Sequence, residues 1–365
     1  MRRTRPGEPT SRSVRVTTPA SAESGAAGAS APSAPHDRRV VLRRPHGSAS
    51  VTDEQGLDIG PHPHCGLQMV TWLIQGGALH RDSLGSEQVI KAGQLNLMNA
   101  GFGVSHAEEA TGHFRGTLQG VQLWIALPEA TRHLAASFEH FADLAKVELA
   151  GGSGTVLAGE FLGHSSPARH DTPLVGVDLK LRSATEVALQ PGFEHAFIVL
   201  EGALEVRGDR IAAGQLGYLA PGPDEVRLDV EEHARVILLG GEPLKEELLL
   251  WWNFVARSRE EIDAAYEAWV TPDGRFGGMA SALARMDTPP PCWPLADGPA
   301  VLALGVVAAR STRRRNDLPR VTPTDGLHRT SPRSSTQGSG SGDERHHDES
   351  DDGGDVAQQR ARHRG

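Results

Sequence analysis

The sequence predicts an all-β protein in which one barrel-like unit occurs twice. Three observations carry that expectation. The stretch "AGQLNLMNAG" (92–101) returns as "AGQLGYLAPG" (213–222), and "WLIQGGAL" (72–79) returns as "IVLEGAL" (198–204). Short apolar runs are broken by Gly and Pro at the spacing of a sandwich or barrel, roughly 8–12 residues. Little before residue 250 has the 3.6-residue period of a helix.

Taken in order, residues 1–37 are rich in Ala, Ser, Pro, Gly and Arg, have no apolar periodicity, and are predicted to be disordered. The first barrel is expected over 38–165 and the second over 166–287. The segment "FEHFADLA" (138–145) reads as a short helix between the halves. A better helix is "SREEIDAAYEAW" (258–269). There Ser258 and Glu261 fit a capping box, and Ile262, Ala265, Tyr266 and Trp269 share a face. Residues 288–365 return to a Pro-, Ser- and Gly-rich composition and are predicted to be a second disordered tail.

With 365 residues the chain is long enough for two domains, and its 42 Gly and 24 Pro dilute the apolar share to 38%. A net charge of −9 argues against a nucleic-acid surface. The basic stretch "RSTRRRND" (310–317) lies in the expected tail and reads as solvated. No apolar run reaches the length of a membrane span. Arg2 and Arg3 are not followed by the hydrophobic segment of an export signal. Cys65 and Cys292 fall in different zones, as free thiols of a reducing cytoplasm would. A cytoplasmic monomer is the expectation.

Chemistry concentrates in "GPHPHCGLQMVTWLIQGG" (60–77). In an extended strand residues i and i+2 share a face, so His62 and His64 present their nitrogens to one point. "GFGVSHAEEA" (101–110) supplies a second such pair, His106 and Glu108. On adjacent antiparallel strands the two pairs converge to three imidazoles and a carboxylate. That set leaves two positions of an octahedral metal for water, oxygen or substrate. Three nitrogens and an oxygen without thiolate suit iron(II), Mn, Co, Ni or Cu better than structural zinc. A lone HxH pair arises by chance; HxH followed by HxE inside a repeat whose twin lacks both does not do so easily. By residue count the second copy has Val187 and Leu189 opposite His62 and His64, and Arg227 and Asp229 opposite His106 and Glu108. His195 aligns with Val70 and reads as an ordinary half-buried histidine.

Several other residues have a structural reading first. Asp82 and Ser83 in "LHRDSLG" would cap backbone amides of a turn, with His80 facing a pocket as the alternative. Met98 and Phe102 read as core or pocket wall. Trp251, Trp252 and Phe254 read as interdomain packing.

The run "HPHCGLQMVTWLIQGGALHRDSLG", continued by "AGQLNLMNAGFGVSHAEE", resembles the N-terminal signature of the pirins, a branch of the cupin superfamily. The likeness continues through "LQGVQLWIALP" (118–128) and "GGEPLKEE" (240–247), over roughly residues 38–275. It implies two cupin-type barrels, a bicupin, and one divalent metal, iron(II) first, on His62, His64, His106 and Glu108. Gln68 stands where many pirins have Glu, and Cys65, one residue off the ligand face, should point away from the metal. Some pirins are quercetin 2,3-dioxygenases, which implies a small flavonol-like aromatic substrate with Glu108 as catalytic base. Others are redox-responsive regulators that act through a protein partner. Access distinguishes the two. A cavity of about 300 Å³ or more at the metal favours a substrate, and a closed site beside a charged patch favours signalling.

Overall fold

A computed structural model describes residues 58–111, 116–271, 274–291 and 293, with the backbone of three short strands, Arg15–Thr17, Val40–Leu42 and Ala49–Val51. Cys292 and the basic stretch at 310–317 lie outside the described residues. So does nearly all of both predicted tails. The exceptions are 288–291 and 293 in the second tail and Arg15–Thr17 in the first, expected to lack structure, which pairs antiparallel with Leu216–Tyr218 of the second barrel.

Two β-barrels lie side by side. The first has one sheet in the order Ser137–Phe141, Leu95–Asn99, Leu67–Gln75, Gly116–Ala126, Val40–Leu42. A second sheet faces it, in the order Ile59–His64, Val104–Glu109, Gly77–Asp82, Glu87–Lys91. The second barrel is a single 11-stranded sheet whose centre is Glu194–Val206 and Ala234–Gly241. The strand Leu67–Gln75 explains its near-continuous apolar run, because both faces are covered. Leu67 and Met69 pack inside the first barrel on Met98 and Trp124. Val70 and Trp72 pack outward on Leu157, Leu174 and Ile198 of the second.

One buried polar link crosses this dry contact. Trp72 Nε1 donates to Asp178 Oδ2 at 2.9 Å, and Arg235 holds the same carboxylate through Nε at 3.0 Å and a terminal nitrogen at 2.5 Å. Asp178 is 1% exposed. An Asp178→Ala variant would leave a half-buried guanidinium and a buried indole N–H without their acceptor. We expect it to lose about 3 kcal/mol of stability, read as a lowered midpoint in urea. Trp72→Phe, which removes only one donor, should lose about 1 kcal/mol.

The predicted C-terminal helix is present as Arg259–Val270. Ser258 is its N-cap, accepting from Glu261 N, and Ile262, Ala265, Ala268 and Trp269 are its buried face. Trp251, Trp252 and Phe254 pack with this helix and with Cys65. The helix expected over 138–145 is instead the strand Ser137–Phe141, which pairs with Leu95–Asn99. Eight residues with few internal partners cannot offset the cost of helix nucleation, whereas a free sheet edge supplies a complete ladder.

The two repeats fill their interiors differently. In the second barrel the strand Thr185–Ala188 pairs with Glu225–Asp229, and Val187 sits opposite Val226. Val187, Leu189, Val226 and Leu228 all enter an apolar core. The residue-count alignment is therefore one position off. Arg227 and Asp229 pair with each other at 2.9 Å on the outside, and the inward residues are Val226 and Leu228. A slip of one residue exchanges the faces of a strand.

Candidate metal centre

The inside of the first barrel carries a polar layer between two apolar ones. Below it lie Leu67, Met69, Met98, Val104 and Trp124; above it lie Leu73, Ala78, Ile90 and Leu118. The strand pairing His62↔His106 brings the two histidine motifs face to face, as their i, i+2 parity requires. One ring nitrogen each from His62, His64 and His106 falls within 4.8 Å of the other two. All three residues are buried, His106 completely.

Each imidazole is held. His62 Nδ1 donates to Gly60 O at 2.8 Å, which turns Nε2 toward the cluster. The His64 ring stands edge-on to Trp124 at 5.1 Å. His64 Nε2 and His106 Nε2 face each other at 3.0 Å. Burial, followed by the fields of His62, His64 and His80, pushes His106 well below the ordinary imidazole pKa, so it is neutral. At that distance only one of the two facing Nε2 atoms carries a proton, and the buried His106 Nδ1 has no hydrogen-bond partner among the described residues. Uncharged, converging imidazoles are the state that a divalent transition metal binds. The donor set fits such an ion.

Glu108 stands apart from this triad. Its Oε1 accepts from Gln122 Nε2 at 2.9 Å. Together with Gln122, His80, Thr71 and Asn96 it lines a cavity of about 50 Å³ whose remaining walls are apolar, among them Ile59 and Leu118. The volume is far below the several hundred Å³ of a typical ligand pocket.

Asp82 and His80 combine the two readings offered by the sequence. Asp82 Oδ1 accepts from the amides of Leu84 and Ser86, each at 2.9 Å, and so caps the turn. Its Oδ2 takes His80 Nε2 at 3.1 Å. Burial works to raise the Asp82 pKa, but the hydrogen bonds from His80 and Ser86 outweigh it and hold the carboxyl below its ordinary value. His80 stacks on Phe138 with ring centres 4.3 Å apart, and lies directly across from Glu108. Ser83 Oγ accepts from Ser105 N at 3.1 Å.

Other expectations resolve as follows. Cys65 points away from the histidines into the cluster around Phe254, and burial pushes its thiol up to about 11. Met98 is core, whereas Phe102 is neither core nor cavity wall: it is 48% exposed beneath the Arg275 guanidinium, 4.3 Å from the ring centre. Gln122 and Asn96 were missed, although each interrupts an apolar strand at a position of inward parity, a signal present in "LQGVQLW" and "QLNLMN".

His195 is fully buried rather than half-buried. It shares a face with Phe197 inside the second barrel, and neither ring nitrogen has a hydrogen-bond partner among the described residues. Burial lowers its pKa to about 4. Below the unfolded value near 6.5 the unfolded chain binds a proton that the folded chain refuses, so stability is full above that pH and falls toward pH 4. His195→Leu removes this group, and should cut the loss of urea stability between pH 7 and pH 5 by about 2 kcal/mol relative to wild type.

These observations define the class first: a double-barrel protein of the cupin type, with a buried histidine cluster, among the described residues, in the first barrel alone. The Pirin family model matches residues 38–125, and the model of the Pirin C-terminal cupin domain matches residues 174–277. A Pseudomonas aeruginosa protein named "Putative quercetin 2,3-dioxygenase PA1205" is 46% identical over 250 residues, 68% of this chain and 79% of the relative. A "Pirin-like protein" of Caulobacter vibrioides is 36% identical over 221 residues, 59% of this chain and 76% of its own. A crystal structure of quercetin 2,3-dioxygenase from Acinetobacter baumannii is 42% identical and superposes with a TM-score of 0.63, covering 72% of this chain and 85% of that one. The chain belongs to the pirin family.

Proposed function

We propose that the protein is a metal-dependent dioxygenase of the quercetinase type. His62, His64 and His106 would hold one divalent transition metal, with Glu108 as fourth ligand and as base. Iron(II) is the first choice for this nitrogen and oxygen donor set, ahead of Mn, Co, Ni and Cu. The observation that carries the reading is a cluster of three buried imidazoles, with His106 5.3 Å from the ring of His80, which lines a cavity where the Glu108 carboxylate is steered by Gln122. When bound, the metal would supply Lewis-acid polarisation of a hydroxy-ketone and an open coordination position. Glu108 takes the proton of the substrate hydroxyl, and Gln122 keeps one carboxylate oxygen aimed while the other acts. His80, fixed by Asp82 and Phe138, forms the polar wall facing that proton. The names of the Pseudomonas and Acinetobacter relatives support a flavonol-like substrate.

The cavity size favours a second reading. At about 50 Å³ it does not admit a flavonol unless the apolar wall at Ile59 and Leu118 gives way. A closed metal site of this kind suits a redox-responsive regulator that acts through a protein partner. Oxygen uptake decides between them. Protein loaded in turn with Fe, Mn, Co, Ni and Cu is mixed with quercetin, and consumption above the free-metal control with at least one metal is expected. Failure with all five would eliminate the flavonol oxygenase and leave the regulator.

A further inference from the structure

The histidine-bearing strand Ile59–His64 is at the end of its sheet and pairs within it on one side only, with Val104–Glu109. Its other edge carries Pro61 and Pro63, which have no N–H to offer. The carbonyls on that edge still need donors. Those donors come from far along the chain: Val255 N reaches Cys65 O at 3.1 Å, and Met286 N reaches Pro61 O at 2.9 Å.

The segment 281–286 does more than cover an edge. A β-carbon on Gly60 would stand 2.1 Å from Ala284 O, so only glycine permits this approach. The segment is tied down at both ends. Ser281 Oγ donates to Glu109 Oε1 at 2.6 Å, next to Glu108 in the other histidine-bearing strand. Met286 O accepts from Trp269 Nε1 at 3.0 Å, and the Arg285 guanidinium lies 3.4 Å over the Trp269 ring. Gly60, pressed between segment and barrel, is the residue whose carbonyl receives His62 Nδ1.

We propose that residues 281–286 are a positioning clamp for His62, so that the metal centre of the first barrel is completed by a segment beyond the second. The proposal rests on the reading of His62, His64 and His106 as metal ligands. The physical link is short. The Gly60 carbonyl selects the Nδ1–H tautomer of His62 and aims its Nε2, and Ala284 and Met286 fix where that carbonyl lies. Loss of such an outer partner typically costs 10–100-fold in metal affinity.

Two variants of the full chain test it. Met286→Pro deletes the N–H that reaches Pro61 and changes only an exposed side chain. Gly60→Ala drives a methyl group into Ala284 O. Three quantities are measured: Co(II) affinity by competition with a chelator, the melting temperature without metal, and the imidazole ¹⁵N–¹H signals of the metal-free protein. Both variants are expected to bind Co(II) 10–100-fold more weakly. The His62 Nδ1 proton should exchange faster, while the His64 and His106 signals stay in place, a pattern that general loosening of the barrel would not produce. A Met286→Pro protein with wild-type Co(II) affinity and an unchanged His62 signal overturns the clamp. If wild-type protein binds no metal, the ligand reading fails, and the metal-free His62 signal still decides the clamp: retained in both variants it is refuted, lost in both it stands.

Discussion

Replacing His106 with alanine is expected to reduce metal content from about one ion per chain to close to none. His106 is fully buried, its Nε2 lies 3.0 Å from that of His64, and its ring centre lies 4.2 Å from that of His62. It is thus the shared neighbour of both histidines on the facing strand, and the two imidazoles left, even with the Glu108 carboxylate, no longer converge around a common buried nitrogen. The loss should exceed the 10–100-fold that follows removal of an outer partner. Elemental analysis after gel filtration reads the content directly. A thermal readout checks it independently: ligand that binds only the folded state stabilises by RT ln(1 + [L]/Kd). Added Co(II) should therefore raise the melting temperature of wild type but not of His106→Ala. His62→Ala should behave alike. Full occupancy in a His62→Ala/His106→Ala double variant would falsify the assignment of the triad.

Glu108→Gln is the second large effect, and it separates the two functional readings. The amide keeps the oxygen that accepts from Gln122 Nε2, so the cavity wall should survive and metal should be partly retained. It cannot accept a proton at neutral pH. If Glu108 is the base of an oxygenase, turnover should drop roughly 10²–10⁴-fold with modest change in metal content. If the protein is a regulator there is no turnover to lose, and the change appears as a shifted metal redox potential and altered partner affinity. Wild-type oxygen uptake that Glu108→Gln leaves unchanged would remove Glu108 from the chemistry and direct attention to His80, which faces the same cavity across the strand pair.

Strand parity is a local property, and whatever rests on it was legible in the chain. His62 with His64, and His106 with Glu108, lie two residues apart, so an extended backbone turns each pair inward. The repeat announced two barrels. The helix Arg259–Val270 was visible from its Ser258 cap and its Ile262–Ala265–Trp269 face, because capping and amphipathic spacing lie within one element.

Nonlocal pairing decided the rest. Ser137–Phe141 became a strand because Leu95–Asn99 offered it an edge, which no local propensity encodes. Arg227 and Asp229 turned outward because the second repeat holds one residue fewer between its "AGQL" run and that strand, and a single slip exchanges faces. His195 became a buried neutral group through the same kind of placement inside the second barrel. The closeness of Glu108, Gln122 and His80 depends on three strands that the chain order separates. The covering of the His62 strand by Met286 joins residues more than two hundred positions apart. Sequence by itself determined which side chains share a face of a strand or helix; tertiary structure alone decided which face turns inward and what it meets there, because burial and hydrogen bonding belong to neighbours in space rather than along the chain.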